Sequence, residues 1–254
     1  MSTNPLVKDL PLFPFTRDRQ LDLPGEYAEV SGGCPIPVRL WNDQHSWLVG
    51  NHADFLSVLM DERFSGEFAR PDFPCVTTAR RAIDKAEKSF VGMDNPRHDQ
   101  YRRMVMKEFT AKRMLALRPS IEAIADDLLD AMARDGPPCE LVAALAVELP
   151  ALVMCALFGS PYEDHHYIAK LAAGRHGLTQ SPQEAATAAA ELVEYCRKLI
   201  ARKEAQPADD MISRVIQEWV LPGLLSRDEF SDTMAHDNCR PNSPTFPNLI
   251  KRIF

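Results

Sequence analysis

A chain of 254 residues that is 45% apolar and 26% charged has the composition of a folded globular protein. A chain of this length buries about 70–75% of its unfolded surface on folding, which excludes scaffolds that depend on disulfides or structural metal. The net charge of −7, with no Lys/Arg run longer than a pair, excludes the electrostatic footprint of a nucleic-acid binder.

The first thirty-five residues are punctuated by Pro5, Pro11, Pro14, Pro24 and Pro35 and read as an extended arm lying on the domain. They begin with Met1 and reach Lys8 and Asp9 before any apolar stretch, so neither a secretory signal nor an N-terminal anchor is expected, and a cytoplasmic location is. Two β-prone runs, Val38-Arg39-Leu40-Trp41 and Ser46-Trp47-Leu48-Val49, flank the turn-forming Asn42-Asp43-Gln44 and predict a hairpin. Asn51 offers an N-cap to a short helix carrying Phe55, Leu56 and Leu59. From Ser65 to Asn95 the pattern is a loop interrupted by Pro71 and Pro74, with one surface helix over Ala79 to Lys88.

The remainder reads as helices. Ile121, Ile124, Ala125, Leu128, Leu129 and Met132 trace one apolar face, with Pro119 placed in the first turn and Gly136-Pro137-Pro138 as the stop. Leu141 to Phe158 is almost wholly apolar and about the minimum length for a membrane span. Glu148 near its middle would cost about 3 kcal/mol in lipid, and Pro150 breaks the run, so a buried helix pair is expected instead. Ser181 to Glu184 is a capping box ahead of the stripe Ala185, Ala189, Leu192, Val193, Cys196 and Ile200. Met211, Ile212, Val215, Ile216, Trp219 and Val220 form a further helix, ended by Pro222-Gly223. Ser226-Arg227-Asp228-Glu229 announces another, which has only Phe230 and Met234 before His236-Asp237-Asn238 and a proline-broken tail. In that tail Leu249, Ile250, Ile253 and Phe254 are the residues able to dock.

The densest chemical signal is Met93-Asp94-Asn95-Pro96-Arg97-His98-Asp99-Gln100-Tyr101-Arg102-Arg103. His98 and Arg102 lie four apart, so a helix projects both from one face. An imidazole donor and a guanidinium fork near a helix start suit a carboxylate or phosphate. The same spacing also suits a solvated basic helix with an internal acid partner.

Cys34, Cys75, Cys139, Cys155, Cys196 and Cys239 form no C-x-x-C pair and read as buried free thiols rather than zinc ligands. His165 and His166 are adjacent and point about 100° apart on a helix, which argues against a shared metal; no metal is expected. No Ser sits in a G-x-S-x-G turn.

Phe90 through His98 with Arg102-Arg103, then Phe109-Thr110-Ala111-Lys112-Arg113, Leu117-Arg118-Pro119 and Ile124 to Leu129, resemble the amino-terminal half of a soluble cytochrome P-450. Leu149-Pro150, Leu157 to Pro161 and Asp209 to Ser213 continue the family order, so the resemblance covers about residues 10 to 234. Within the family the chain is most similar to the fungal nitric-oxide-reductase branch, through Ser46 to Val49, Phe73-Pro74 and Lys88 to Val91.

The resemblance implies a mainly α fold, an incomplete cytochrome P-450 fold with a small N-terminal β-hairpin, with residues 1–234 as the family portion and 235–254 as a divergent tail. It implies haem as cofactor, a small-molecule substrate, and His98 and Arg102 as the residues gripping a haem propionate. The family chemistry is nitric oxide reduction or monooxygenation.

The family's axial thiolate has no match among the six cysteines, and its oxygen-binding helix, expected after Glu229, gives way to Ala235 to Pro241. Glu67 to Arg70 and Glu194 to Arg197 only mimic the family's E-x-x-R pair. Where the fungal branch holds a basic cluster for NAD(P)H, only Arg70 is basic, which argues against direct donation from NAD(P)H. The chain is thus expected to be a truncated haem-thiolate oxidoreductase, inactive by itself and prone to self-association through exposed apolar faces. The alternative is a non-catalytic helical interaction protein or the product of a misread gene fragment.

Overall fold

The computed structural model describes residues 9–19, 22–86, 90–176 and 181–237. Lys88-Ser89, Cys239 and the tail from Asn242 to Phe254 lie outside the described residues.

The proline-rich arm runs beside the hairpin. Phe13 N–H donates to the Arg39 carbonyl at 2.8 Å and Arg39 N–H to the Pro11 carbonyl at 2.9 Å, so the arm continues the sheet in place of a third strand. It also holds one six-residue helix, α1 (Glu26–Ser31), between its prolines. Strands β1 (Ile36–Arg39) and β2 (His45–Leu48) pair antiparallel, with Ile36 opposite Leu48 and Arg39 opposite His45. Asp43 takes a positive φ of 59° at the turn, a conformation its short polar side chain tolerates.

Helix α2 (His52–Met60) starts where expected, the Asn51 carboxamide oxygen accepting from Ala53 N–H at 2.8 Å. Its Phe55, Leu56, Leu59 and Met60 are all exposed. Helix α3 (Thr78–Ala86) packs on α8 (Pro182–Ala205), where Ala79 meets Ala185.

Helix α4 (Arg97–Met106) is followed by α5 (Ala111–Asp135), which starts ten residues earlier than Ile121. Pro119 therefore lies inside α5 rather than in its first turn. Pro119 and its neighbours on either side are exposed, and so is Leu115, whose carbonyl loses its helical donor. Gly136, with φ 73°, ends the helix as expected.

The apolar run also differs from the predicted broken pair. A wide turn over Val142–Val147, bonded in the i→i+5 manner, passes directly into α6 (Glu148–Phe158), so Pro150 falls in the first turn of an α-helix. The wide turn relieves the clash its ring would make with the preceding turn, and no break is needed. No described helix is long and apolar enough to cross a membrane.

A short 3₁₀ turn (Tyr162–Asp164) leads into α7 (His165–His176). The capping box of α8 is complete, Glu184 N–H donating to Ser181 Oγ at 3.2 Å and Ser181 N–H to Glu184 Oε2 at 2.9 Å. Helix α9 (Met211–Val215) opens into a second wide turn over Ile216–Val220.

Helix α10 (Arg227–Asp237) does form, and Phe230, Met234 and Ala235 are buried. Its buried Ser231 and Thr233 hydroxyls donate to the Arg227 and Glu229 carbonyls, each at 2.8 Å, so polar side chains occupy a core face without an unmet hydrogen bond. The helix passes through the expected boundary at residue 234 without interruption.

Helix α8 is central, packed against α3, α7, α9 and α10. Its Leu192, Leu199 and Ile200 join Met104 of α4, Ile121 of α5, Leu157 of α6 and Phe230 of α10 in one core. The molecule is mainly α with one small hairpin, in agreement with the sequence expectation.

Candidate functional site

The start of α4 is built by contacts with the preceding loops. Asp94 Oδ1 accepts from Gly66 N–H at 2.7 Å. The Ser65 hydroxyl, and then this amide, hold the Asp94 carboxyl below its usual range. His98 N–H closes onto the Asp94 carbonyl at 3.0 Å. Gly92 lies against the Phe68 ring so closely that a Cβ would collide with it, and the Arg80 guanidinium covers that ring at 5.2 Å.

The far end of α4 is fixed by Glu108. This buried carboxylate accepts from Arg214 Nε at 2.8 Å and Nη2 at 2.7 Å, and from Arg113 Nη1 at 3.1 Å. The near end is tied to α10, with Arg97 Nη2 donating to Glu229 Oε1 at 3.0 Å and the Arg97 guanidinium 5.8 Å from the Tyr101 ring. The Ser226 hydroxyl leads the groups that hold the Glu229 carboxyl below its usual range, followed by the Ser226 amide, Tyr101 and Arg97.

Between these anchors, the structure places His98 and Arg102 four residues apart on α4. His98 is half-buried, its ring 6.0 Å from Phe90 and its Nδ1 3.1 Å from Asp99 Oδ1, which leaves Nε2 open. Arg102 is exposed, and no described residue bonds its guanidinium. Its neighbours differ: Arg97 is held by Glu229, and Arg103 Nε donates to the Asp99 carbonyl at 3.1 Å. An open imidazole nitrogen and an open guanidinium on one helix form a donor set for a carboxylate, and the residues fit a haem propionate.

The other sequence candidates fall elsewhere. Arg70 pairs with Asp72 at 3.2 Å, while Glu194 and Arg197 form an exposed ion pair at 3.8 Å on α8. Cys34 and Cys139 are exposed rather than buried; Cys75, Cys155 and Cys196 are buried. Burial, then the Asp164 charge, pushes the Cys155 thiol up to about 11, which keeps it protonated. A cavity of about 80 Å³ lies between α6, α7 and α8, lined among others by Cys155, Phe158, Ile168, Tyr195 and Met234. It is far smaller than the roughly 300 Å³ at which small-molecule pockets begin.

His165 and His166 do come together, contrary to the argument from helical spacing. Their rings stack with centroids 3.9 Å apart, and Glu148 reaches across from α6 to both. Helical geometry fixes where two Cβ atoms point, whereas the ends of an imidazole and a carboxylate can converge from several ångströms away. Glu148 was legible only as a charge in an apolar run, Arg97 and Tyr101 only as members of the segment around Pro96, and Glu108 carried no signal in sequence.

No family model matches the chain. Pentalenic acid synthase of Streptomyces avermitilis is 38% identical over 85% of this chain and 54% of its own length. Cytochrome P450 55A3 of Fusarium lichenicola is 33% identical over 87% of this chain and 55% of its own. The crystal structure of the mycinamicin VIII C21 methyl hydroxylase of Micromonospora griseorubida superposes with a TM-score of 0.81 at 26% identity, covering 96% of this chain and 61% of that one. The chain belongs to the cytochrome P450 superfamily.

This P450 chain spans about half the length of the curated relatives it matches. The expected preference for the fungal branch is not supported, since the Streptomyces relative aligns at higher identity than the Fusarium one. The P450 resemblance accounts for the mainly helical architecture that carries α4.

Proposed function

We propose that this chain carries the propionate-gripping side of the haem pocket of a P450 monooxygenase acting on a small organic molecule, with His98 and Arg102 as the grip. The observation that carries this reading is the pairing pattern on α4, in which Arg97 and Arg103 are engaged while the Arg102 guanidinium and His98 Nε2 have no bond among the described residues. Haem, when bound, supplies the oxygen chemistry, ligated in this family by a cysteine thiolate.

The chain's own residues bind and orient. Arg102 offers a fork for one carboxylate, Phe90 restrains the His98 ring, and the Asp94 and Glu108 anchors hold α4 in place. Oxygen insertion is preferred to nitric oxide reduction because relatives at comparable identity bear the names pentalenic acid synthase and vitamin D3 dihydroxylase. Residues 1–234 act as the family portion and 235–254 as a divergent tail. No cysteine of the chain matches the thiolate loop, so these 254 residues do not turn over by themselves. NAD(P)H is not part of the reading, since Arg70, the one basic residue of the relevant loop, is paired with Asp72.

The test is a haem titration of residues 1–254. Arg102→Ala should weaken binding by about 10- to 100-fold, the range of a lost charge-assisted hydrogen bond. The reduced carbon monoxide complex should lack the red-shifted Soret band of a thiolate-ligated haem. Unchanged affinity in Arg102→Ala, or the appearance of that band, refutes the proposal. The second reading, a helical interaction protein, draws on the exposed apolar face of α2; it is favoured if the chain self-associates identically with and without haem.

A further inference from the structure

The contacts around Glu148 bring together three groups that can serve one metal ion as ligands. His165 Nδ1 is hydrogen-bonded to the Tyr162 carbonyl. A carbonyl only accepts, so Nδ1 carries the proton, and the neutral ring then presents a lone pair at Nε2. Nε2 faces Glu148 Oε2 at 2.7 Å. The second carboxylate oxygen, Oε1, lies 3.6 Å from His166 Nδ1.

One divalent cation shared by the three groups satisfies all of them at once. The ligand atoms lie within 4.8 Å of one another, compatible with the edge of about 3.3 Å that a tetrahedral site with Zn–N and Zn–O near 2.0 Å requires.

Two further features fit such a site. The Tyr162 carbonyl orients the His165 ring through its far nitrogen, the support that metal-bound histidines commonly have. The wide turn over Val142–Val147 ends at Glu148 and sets the face from which its carboxylate reaches α7.

We propose that Glu148, His165 and His166 form a binding site for one Zn²⁺ ion, with His165 Nε2, His166 Nδ1 and a Glu148 oxygen as ligands. Two imidazoles and a carboxylate suit zinc, and less selectively nickel, cobalt and copper, better than calcium or magnesium. Three protein ligands leave a fourth position for water. The ion would tie α6 to α7, and because it binds only the folded arrangement it would raise the melting temperature. The site shares no residue with the α4 grip, so either assignment can fail without the other.

The experiment is equilibrium dialysis of residues 1–254 against Zn²⁺, with the exposed Cys34 and Cys139, and also Cys239, changed to serine so that these thiols do not compete. One zinc per chain is expected, and Co²⁺ in its place should give the visible absorption of a four-coordinate ion. His166→Ala should weaken binding at least about tenfold, the lower end of what losing even an outer-shell partner costs. The His166 side chain is three-quarters exposed, so this substitution leaves the fold intact. Glu148→Gln should do the same, His45→Ala should change nothing, and the zinc-induced rise in melting temperature should vanish in His166→Ala. Absence of stoichiometric zinc, or zinc retained undiminished by both His166→Ala and Glu148→Gln, overturns the proposal.

Discussion

Replacing Glu108 by alanine should cost about 3 kcal/mol. The Glu108 side chain is only 3% exposed and accepts from two guanidinium groups at 2.7–3.1 Å, so its removal strands two positive charges beside the end of α4. At an effective dielectric near 20, one such unit pair at 4 Å is worth about 4 kcal/mol before desolvation is subtracted. Breaking a buried pair from one side costs about 3–5 kcal/mol. The lower end applies because Arg113 and Arg214 are 36% and 24% exposed and can turn toward water, and because Arg214 keeps Asp209 at 2.6 Å. At roughly 2–4 °C per kcal/mol for a chain of this size, the melting temperature should fall by about 6–12 °C, as followed by circular dichroism. A double change of Glu108 and Arg214 to methionine should recover much of that loss, since the stranded charge is removed with its partner. A fall of less than about 2 °C in Glu108→Ala, or a double variant no better than the single one, would show that the carboxylate does not hold α4.

Gly159→Ala should destabilise by about 3 kcal/mol, part from the left-handed backbone at φ 69° and part because its Cβ would meet the buried Asp210 carboxylate paired with Lys203. Gly223→Ala, at φ 77° with open space around it, should cost only the backbone share of about 1–2 kcal/mol; equal losses in urea melts would rule out the collision. For Glu229 the folded carboxyl is depressed, so its contribution is present above the unfolded value near 4.5 and is lost as pH falls through the lower folded value. The stability gap between the native chain and Glu229→Gln should therefore close between pH 5 and pH 3, and a gap independent of pH would refute the assignment.

Much of the architecture was legible because the signals were local. The capping box at Ser181, the N-cap at Asn51 and the stop at Gly136 each rest on one residue whose chemistry serves one position. Misreadings arose where a local rule met a tertiary one. Pro119 looked like a helix start, yet α5 continues through it because Met114 has a buried face to pack. Helix α10 offered only Phe230 and Met234 as apolar residues, yet it packs into the core because Ser231 and Thr233 satisfy themselves against their own backbone. The grip on α4 was readable from spacing and resemblance together, whereas Glu108 and Glu229 find partners 106 and 132 positions away, a separation no periodicity encodes.

The wide turn over Val142–Val147 holds one residue more than an α-helical path would need. Deleting Ala143 or Ala144 would let the segment wind as an ordinary α-helix, which is locally the more comfortable state. Because the wide turn already absorbs that residue, α6 and the chain before the turn would keep their relative phase. A single surplus residue thus widens the backbone just ahead of Glu148 while leaving the front of the molecule in step with its back.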